Sequence, residues 1–430
     1  MLVIHNAELR KKIKTDSHYT LKDIQNISAF LEQKGTFSFS PLENGLFPAA
    51  RVNKRTEYTG YANVWVRDNI HVAHAHYAIG DNEVAIKNVN ALMTYFKKYQ
   101  KRFMNIIKSG KAPKNTMKRP HIRFNGNNLE ENSEKWAHAQ NDALGYFLWF
   151  YCLLLNHEIL ETKQENIDML ALFVLYFNAI SYWQDEDSGH WEETRKINSS
   201  SIGAVVAGLK EFKKVLTKKN LECKFKSLDV RLLLEELIEK GQKALKDILP
   251  NECIQDDATK KRAYDAALLF FIYPLNVVND NMADKILGNI EKNLLGDYGI
   301  RRYVGDSFWA PDYKKKVSKE KRTSYMGIDI FERDTLLKEK GKEAQWCIFD
   351  PIISVIFGKR FQETDREEYL DKQIYFLNRS LGQITDQFEC PELYYIEDSK
   401  YVHGDVVPLL WAQANLRIAL KMMEESVRIK

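Results

Sequence analysis

Cysteine is scarce in this chain: five residues are spread over 430 positions, and no Cys-x-x-Cys pair occurs. An odd number of widely spaced cysteines predicts neither a disulfide framework nor a zinc knuckle and favours a reducing compartment. The first ten residues are too poor in apolar side chains for a secretory signal. We therefore expect a cytoplasmic protein. The cysteines are Cys152, Cys223, Cys253, Cys347 and Cys390.

Long apolar runs and linkers are missing as well. No stretch reaches the ~20 apolar residues that cross a bilayer, so no membrane association is expected. Only 10 prolines and 20 glycines occur, while hydrophobic residues make up 44% of the chain, which is typical of a well-packed globular protein. No Pro/Ser-rich segment divides the sequence. We expect one domain over residues 1–430, with the polar, Lys-rich segment 295–343 as a lid or insertion within it.

Charge of one sign is not in excess. The chain has 63 Lys and Arg against 59 Asp and Glu, a net charge of +4. Its basic runs are short and scattered, as on a solvated surface, so the sequence predicts no nucleic-acid partner.

Apolar residues recur at helical spacing through most of the chain, and period-two alternation is rare. The pattern predicts about twelve helices and therefore an all-α fold. The predicted helices cover residues 21–33, 68–80, 83–106, 134–155, 165–183, 199–216, 228–247, 260–274, 280–294, 344–357, 366–381 and 405–424.

Two adjacent acids, Glu192 and Glu193, follow Trp191 and precede a run of Asn and Ser that opens a helix. Mutual repulsion and burial against an indole raise the pKa of a carboxyl group, which suits a general acid. Taken alone, such a pair is more often solvated surface. The functional interpretation therefore depends on partners elsewhere in the chain.

Four other segments combine aromatic and polar residues in loops, where a helical scaffold usually carries function. Arg67 and Asp68 end the first segment, and we expect the guanidinium to keep Asp68 ionised, although Asp68 could instead favour a helix N-terminus. In the second, Trp136 is expected to open a helix with Gln140 one turn later on the same side. Indole faces suit pyranose rings, although a lone Trp is more often core.

The other two segments lie in the last third of the chain. One contains Arg301 and Arg302 and is followed at a distance by Trp346. The other contains Glu392 after a proline and before two tyrosines. Glu392 is thus a second candidate carboxylate in an aromatic setting.

Two further patterns resemble metal sites. His71, His74 and His76 are clustered, but only the first two share a helical face and no carboxylate completes a zinc pattern, so we assign them a structural role. Gly80-Asp81-Asn82 is better explained by a helix end and a turn than by a calcium loop. No metal or cofactor is predicted.

The order of these segments resembles the glucoamylase family of glycoside hydrolases, family 15. It reads Trp-Val-Arg-Asp-Asn, Phe-Asn-Gly, Trp with His-Ala-Gln-Asn-Asp-Ala-Leu-Gly, Trp-Glu-Glu with Asn-Ser-Ser, Arg-Arg-Tyr, and Pro-Glu-Leu-Tyr with Pro-Leu-Leu-Trp. The wording is closest to the branch that contains the large regulatory subunits of phosphorylase kinase. The resemblance runs from about residue 45 to the C-terminus and implies an (α/α)6 toroid of six helical hairpins.

The resemblance also implies roles for individual residues. Glu192 would be the general acid and Glu392 the general base of an inverting reaction. Arg67 and Asp68 would bind hydroxyls of the terminal glucose, Glu193 the next sugar, and Arg301 or Arg302 would bind nearby. Trp65, Trp136 and Trp191 would wall the pocket, and Trp346 is a further candidate for substrate binding.

The implied activity is an exo-acting α-glucoside hydrolase of the glucan 1,4-α-glucosidase type, acting on an oligosaccharide or glucan. Two alternatives stay open: a non-hydrolytic oligosaccharide-binding or regulatory protein, and a hydrolase of trehalose or another disaccharide. Where this family usually has Glu-Gln-Tyr, this chain has Glu392-Leu-Tyr, as in the kinase-subunit branch. Joint retention of two carboxylates favours the enzyme.

Overall fold

A computed structural model describes residues 2–53, 56–226, 228–323 and 335–429. Helices dominate it, and the strands are short. The α-helices are α1 (Ala7–Arg10), α2 (Leu21–Gln33), α3 (Val66–Ala78), α4 (Asn82–Lys98), α5 (Gln100–Ser109), α6 (Asn141–Asn156), α7 (Gln164–Ala179), α8 (Ser199–Lys218), α9 (Val230–Ile248), α10 (Asp280–Asn293), α11 (Tyr313–Lys316), α12 (Asp350–Thr364), α13 (Glu367–Gly382) and α14 (Leu410–Ile429).

In the part of the chain that the structure describes, eight short strands form three small antiparallel sheets. They are β1 (Val64–Trp65), β2 (Arg123–Asn125), β3 (Glu130–Glu131), β4 (Lys224–Phe225), β5 (Leu228–Asp229), β6 (Gln345–Trp346), β7 (Leu393–Glu397) and β8 (Lys400–His403). The sheets are β1-β2-β3, β4-β5 and β6-β7-β8. The first places Trp65 opposite Arg123, and the third places Trp346 opposite Leu393.

Six elements form a closed inner ring in which each packs against the next. In chain order they are α3, α6, α8, the 3₁₀ helix Ala266–Phe271, α12 and α14, and α14 returns to α3. Helices α2, α4, α5, α7, α9, α10 and α13 pack outside this ring. The fold is therefore all-α, an (α/α)6 toroid, as predicted.

Hydrophobic patterning separates the two layers. Helix α6 is apolar around its whole circumference, and all but two of its residues, Leu153 and Asn156, are buried, as expected for a helix covered on every side. Helix α9 instead buries one stripe, which includes Val230, Leu234, Leu237 and Gly241, and exposes charged residues on the opposite face. Inner and outer positions thus follow from the width of the apolar face.

Two glycines allow the inner helices α6 and α8 to pack closely. A Cβ added to Gly145 would lie 2.6 Å from backbone atoms of Ala204 and Val205, and one added to Gly208 would lie 2.9 Å from the Gly145 carbonyl oxygen. Such separations are too short for any side chain. We therefore attribute the tight α6–α8 contact to these two residues.

Several predicted helices were wrong in extent. The helices predicted over 344–357 and 405–424 are displaced toward the C-terminus, to Asp350–Thr364 and Leu410–Ile429. The helix predicted over 134–155 begins only at Asn141. Residues around Trp136 are instead held by tertiary hydrogen bonds: the Trp136 carbonyl accepts from the Thr116 hydroxyl (2.9 Å) and its N–H points to the Met117 sulfur (3.3 Å). Trp136 and Gln140 therefore do not share a helical turn, which corrects that prediction.

Two further corrections concern local backbone geometry. The helix predicted over 83–106 is divided at Tyr99, whose φ of −108° and ψ of 20° leave the helical region. The helix predicted over 260–274 is reduced to the 3₁₀ helix Ala266–Phe271, capped by the Asp265 side chain. A proline at 274 prevents its continuation.

Part of the predicted lid, residues 324–334, lies outside the described residues. The preceding portion is packed: Trp309 and Tyr313 are buried, and Lys314 and Arg322 form ion pairs with Asp405. Among the described helices none is long and apolar enough to cross a membrane.

Candidate active site

A cavity of about 110 Å³ opens at one end of the inner ring. Most of its lining residues lie at or just before the N-terminal ends of α3, α6, α8, α12 and α14, because the inner elements run in the same direction. It is lined by Ala49, Tyr61, Trp65, Arg67, Asp68, Trp136, His190, Trp191, Glu192, Arg302, Phe308, Thr323, Trp346, Glu392, Leu409 and Trp411. The fold thus brings together two glutamates that are 200 positions apart.

Glu192 lies on a tight turn before α8, and its backbone has a φ of +58°. One carboxylate oxygen, Oε1, accepts hydrogen bonds from the Trp65 indole (2.9 Å) and the Gln140 side-chain amide (3.1 Å). The Arg67 guanidinium lies 3.6 Å from the same oxygen. Oε1 is therefore fully engaged by donors, and a proton on this carboxyl group belongs on Oε2.

Burial raises the pKa of Glu192 above its usual value, although Arg67 and the two hydrogen-bond donors act in the opposite direction. Its side chain remains 18% exposed, since it faces the cavity. The raised pKa favours the protonated form of this carboxyl group, and its exposed part can still reach a ligand.

Glu392 immediately precedes β7 and is held by backbone hydrogen bonds on both sides. Its N–H donates to the Val406 carbonyl (3.1 Å), and its carbonyl accepts from the Cys347 N–H (3.0 Å). The Tyr61 hydroxyl donates to Oε1 (2.8 Å), whereas Oε2 is buried and has no hydrogen-bond partner among the described residues. This second oxygen can therefore accept a proton.

Burial is also the main cause that raises the pKa of Glu392 to about 7. The Tyr61 hydrogen bond and the Arg302 charge favour its ionised form, while the nearby Asp68 disfavours it. Only 3% of the residue is exposed. A pKa near the working pH is what a general base requires.

Asp68 lines the same cavity, but the prediction that Arg67 keeps it ionised is wrong. Arg67 forms its ion pairs with Asp142 (2.7 Å) and Glu192 (3.6 Å). Burial raises the pKa of Asp68 to about 7, and the attraction of Arg67 does not offset it. Asp68 also lies in the first turn of α3, where a negative charge is favourable.

Aromatic and guanidinium groups form the walls. Trp65 and Trp136 meet edge to face at 5.9 Å, and Trp191 lies 5.9 Å from Trp346. The Arg302 guanidinium lies 4.7 Å from the Trp346 ring and 5.1 Å from the Trp191 ring, and Asp306 fixes it through two hydrogen bonds. These groups offer flat apolar faces beside fixed donors, a combination suited to a sugar.

Two predicted site residues do not line this cavity. Glu193 borders a second cavity of about 400 Å³, and its carboxylate is engaged by Arg262 (2.7 Å), Arg302 (3.5 Å) and the Tyr303 hydroxyl. Arg301 points away, donating to the carbonyls of Leu295 and Gly341 and lying 3.3 Å from Glu343. The other nine predicted residues, Trp65, Arg67, Asp68, Trp136, Trp191, Glu192, Arg302, Trp346 and Glu392, surround the first cavity.

The residues that sequence reasoning did not assign to the site include three with side chains at its centre. Tyr61 bonds Glu392, Gln140 bonds Glu192, and Trp411 lines the cavity. All three occur in the aromatic and polar segments noted above, but sequence spacing does not reveal which carboxylate each one contacts. In the sequence, only the order of the segments indicated that these residues belong to the site.

The three clustered histidines lie in the core of the ring. His71 stacks on Trp411 at 4.3 Å, and His74 lies 5.4 Å from Trp149. Burial lowers the pKa of both. Within residues 2–53, 56–226, 228–323 and 335–429, no group of three or more His, Cys, Asp or Glu side chains could hold a metal ion.

Known proteins with similar sequences or folds were identified by comparison. The chain is 29% identical over 209 residues to the uncharacterized lipoprotein YgeQ of Escherichia coli K12, covering 44% of this chain and 78% of that protein. It is 24% identical over 404 residues to a probable phosphorylase b kinase regulatory subunit alpha of Caenorhabditis elegans, covering 83% of this chain but only 30% of that subunit.

A solved structure described as a wild-type glycosidase shares the fold, with a TM-score of 0.67 at 15% identity over 95% of this chain and 99% of its own. The sequence profile of glycosyl hydrolases family 15 matches residues 37–326, well over half of the chain. The chain therefore belongs to glycosyl hydrolases family 15, the glucoamylase-like family that its motifs indicated.

Proposed function

We propose that this protein is an inverting, exo-acting glycoside hydrolase that releases glucose from the non-reducing end of an α-glucan or short α-glucoside. One observation carries the proposal: two carboxyl groups with raised pKa values, Glu192 and Glu392, line a single cavity, and each has one oxygen that accepts no hydrogen bond from the described residues. Family membership supports the same chemistry.

Glu192 acts as the general acid. Because Trp65 and Gln140 donate to Oε1, the proton resides on Oε2 and passes to the glycosidic oxygen as the bond to the anomeric carbon breaks. The leaving sugar departs as an alcohol, and Glu192 is left ionised beside Arg67, which stabilises the new charge.

Glu392 acts as the general base. Its Oε2 accepts a proton from water, while Tyr61 and Arg302 stabilise the ionised carboxylate before the reaction. Water attacks the anomeric carbon from the face opposite the leaving group, so the configuration inverts. An inverting pair needs a carboxyl separation of ~6.5–9.5 Å to accommodate that water, and we expect this separation when substrate is bound.

The cavity supports an exo mode of action. Its volume suits one terminal sugar unit rather than the middle of a chain. We expect Asp68, Arg67 and Arg302 to bind hydroxyl groups and the indoles of Trp65, Trp136, Trp191 and Trp346 to contact C–H faces. Glu193 contacts a second sugar only if its present ion pairs open.

We also propose a cytoplasmic location, which the free thiols of all five cysteines support.

Two other functions have support of different kinds. Similarity to a kinase regulatory subunit favours a protein that binds oligosaccharide without turning it over. Such a sensor has no chemical need for two carboxyl groups with raised pKa values in one cavity, and removing a carboxyl group from water without a role is costly. Hydrolysis of trehalose or another disaccharide uses the same residues and differs only in the sugar that leaves.

A substrate panel separates these functions. Purified protein is incubated with maltose, isomaltose, trehalose and glycogen, and NMR records which anomer of glucose appears first. Release of β-glucose from an α-glucoside supports the proposal, and the preferred substrate identifies the linkage. Binding of one of these sugars without any release would favour the sensor and contradict the enzyme.

A further inference from the structure

The backbone at Glu192 is held in an unfavourable conformation. Its φ of +58° lies in the left-handed region, which is unfavourable for a non-glycine residue. A conformation of this kind persists only where neighbouring contacts impose it. The contacts of the two flanking residues, Trp191 and Glu193, therefore indicate what holds the proposed general acid in place.

Trp191 is fixed by Asp265. The indole Nε1–H of Trp191 lies within hydrogen-bond distance of both carboxylate oxygens of Asp265, at 2.9 and 3.1 Å. Asp265 is 1% exposed and also accepts the N–H of Ala267 (2.9 Å) at the start of the inner 3₁₀ helix. The indole of Trp191, the residue before Glu192, is thus hydrogen-bonded to a residue that caps one of the inner helices of the toroid.

Glu193 is fixed by Arg262. One guanidinium nitrogen donates to Glu193 Oε2 (2.7 Å), and the other donates to Asp265 Oδ2 (2.9 Å). The guanidinium also stacks on the Tyr303 ring at 3.3 Å, which restricts its movement. Arg262 and Asp265 therefore hold the residues on both sides of Glu192 through one ion pair, of which Asp265 is buried and Arg262 is largely buried.

We propose that Asp265 and Arg262 are positioning residues that clamp the Trp191–Glu193 turn and so direct the Glu192 carboxyl group toward the reacting bond. The clamp explains why Glu193 is engaged by arginines instead of lining the first cavity. The proposal of a clamp rests on the proposed role of Glu192 as the general acid. Neither clamp residue lines that cavity, so each acts through Trp191 or Glu193.

The direct test is Asp265→Asn, which removes the charge that orients Arg262 while keeping nearly the same shape. Misplacing a catalytic group by about 1 Å costs up to roughly 100-fold. We expect kcat to fall about 10- to 100-fold with KM changed less than about threefold. Arg262→Lys keeps a charge but loses the two-pronged contact, so we expect a smaller loss in the same direction.

The matched control is Asp350→Asn. Asp350 is buried and ion-paired with Arg379, as Asp265 is with Arg262, but it contacts no residue of the turn. We expect it to lower thermal stability while leaving kcat and KM near wild type. A kcat for Asp265→Asn that matches this control would overturn the proposal.

Two further measurements separate positioning from general damage. If the clamp acts through the two flanking residues, Asp265→Asn costs much less in a Trp191→Phe/Glu193→Gln background than in the wild type; equal costs contradict the clamp. Hydrogen–deuterium exchange of residues 189–194 should quicken in Asp265→Asn but not in Asp350→Asn. Because exchange needs no turnover, it tests the clamp even if the wild type proves not to be a hydrolase, and unchanged exchange rejects it.

Discussion

The two carboxyl groups of the site are held by different kinds of structure. Glu192 lies on a strained turn, receives two N–H donors on one oxygen and remains partly open to the cavity. Glu392 lies at the edge of a small sheet, receives one hydroxyl donor and is almost fully buried. The difference matches the two proposed tasks, because an acid must meet the leaving group whereas a base needs only one water.

The largest expected difference between Glu192 and Glu392 appears when substrates differ in how much protonation their leaving group needs. Glu192→Gln and Glu392→Gln should each lower turnover of the natural substrate by roughly 10²–10⁴ while sugar binding is retained. On α-glucosyl fluoride, whose leaving group needs little protonation, Glu192→Gln should recover most of its activity and Glu392→Gln should not. Fluoride release measured with an electrode gives both rates. Equal recovery would show that the roles are not divided as proposed.

A smaller effect should follow from removing the single donor on the base side. The Tyr61 hydrogen bond favours ionised Glu392, so Tyr61→Phe raises the Glu392 pKa above its value of about 7. The base is then more protonated at any pH near neutrality, and the acid limb of kcat/KM moves to higher pH. We expect roughly a tenfold loss at pH 6 and less at pH 8.

Tyr58→Phe is the matched control, because the Tyr58 hydroxyl donates to Asp405 and not to Glu392. Its acid limb should coincide with that of the wild type. A limb that shifts equally in both variants would separate Glu392 from the base role.

The smallest effect is expected on the acid side. Gln140 favours ionised Glu192, so Gln140→Leu should raise the Glu192 pKa and move the alkaline limb of kcat/KM to higher pH. Trp65 still donates to the same oxygen, so a loss of only a few-fold is expected at neutral pH. Gln383→Leu, at a buried glutamine bonded to Asp350, is the control. A shift of the acid limb instead would exchange the assignments of Glu192 and Glu392.

The ring of helices was largely predictable because inner and outer helices carry different apolar periodicity, as α6 and α9 illustrate. The site was predictable as a set of segments, because their order matches that of the family. The wrong predictions were local ones. Tertiary hydrogen bonds hold Trp136 outside any helix, and the α-helix predicted over 260–274 is a short 3₁₀ helix. Such competition between backbone partners is invisible in residue spacing.

Side-chain pairing was not predictable from the sequence. Arg67 is adjacent to Asp68 but pairs with Asp142, because helix geometry directs neighbouring side chains to different faces. Arg301 and Arg302 likewise point to opposite sides of an extended segment. Arg262, which engages Glu193, lies in an ordinary Lys-Lys-Arg run that gives no indication of function.

The buried carboxyl groups also affect the thermodynamic stability of the fold. Asp68 and Glu392 have pKa values of about 7, above their values in an unfolded chain, so between about pH 4 and 7 the folded state binds more protons and these groups lower the unfolding free energy as pH rises. His74 and His190, with pKa values of about 4, act oppositely between pH 4 and 6.5. Each of these two carboxyl groups lowers the free energy of unfolding by on the order of 3 kcal/mol at neutral pH. Packing of the closed ring of helices must therefore offset a loss of stability that the active site itself causes.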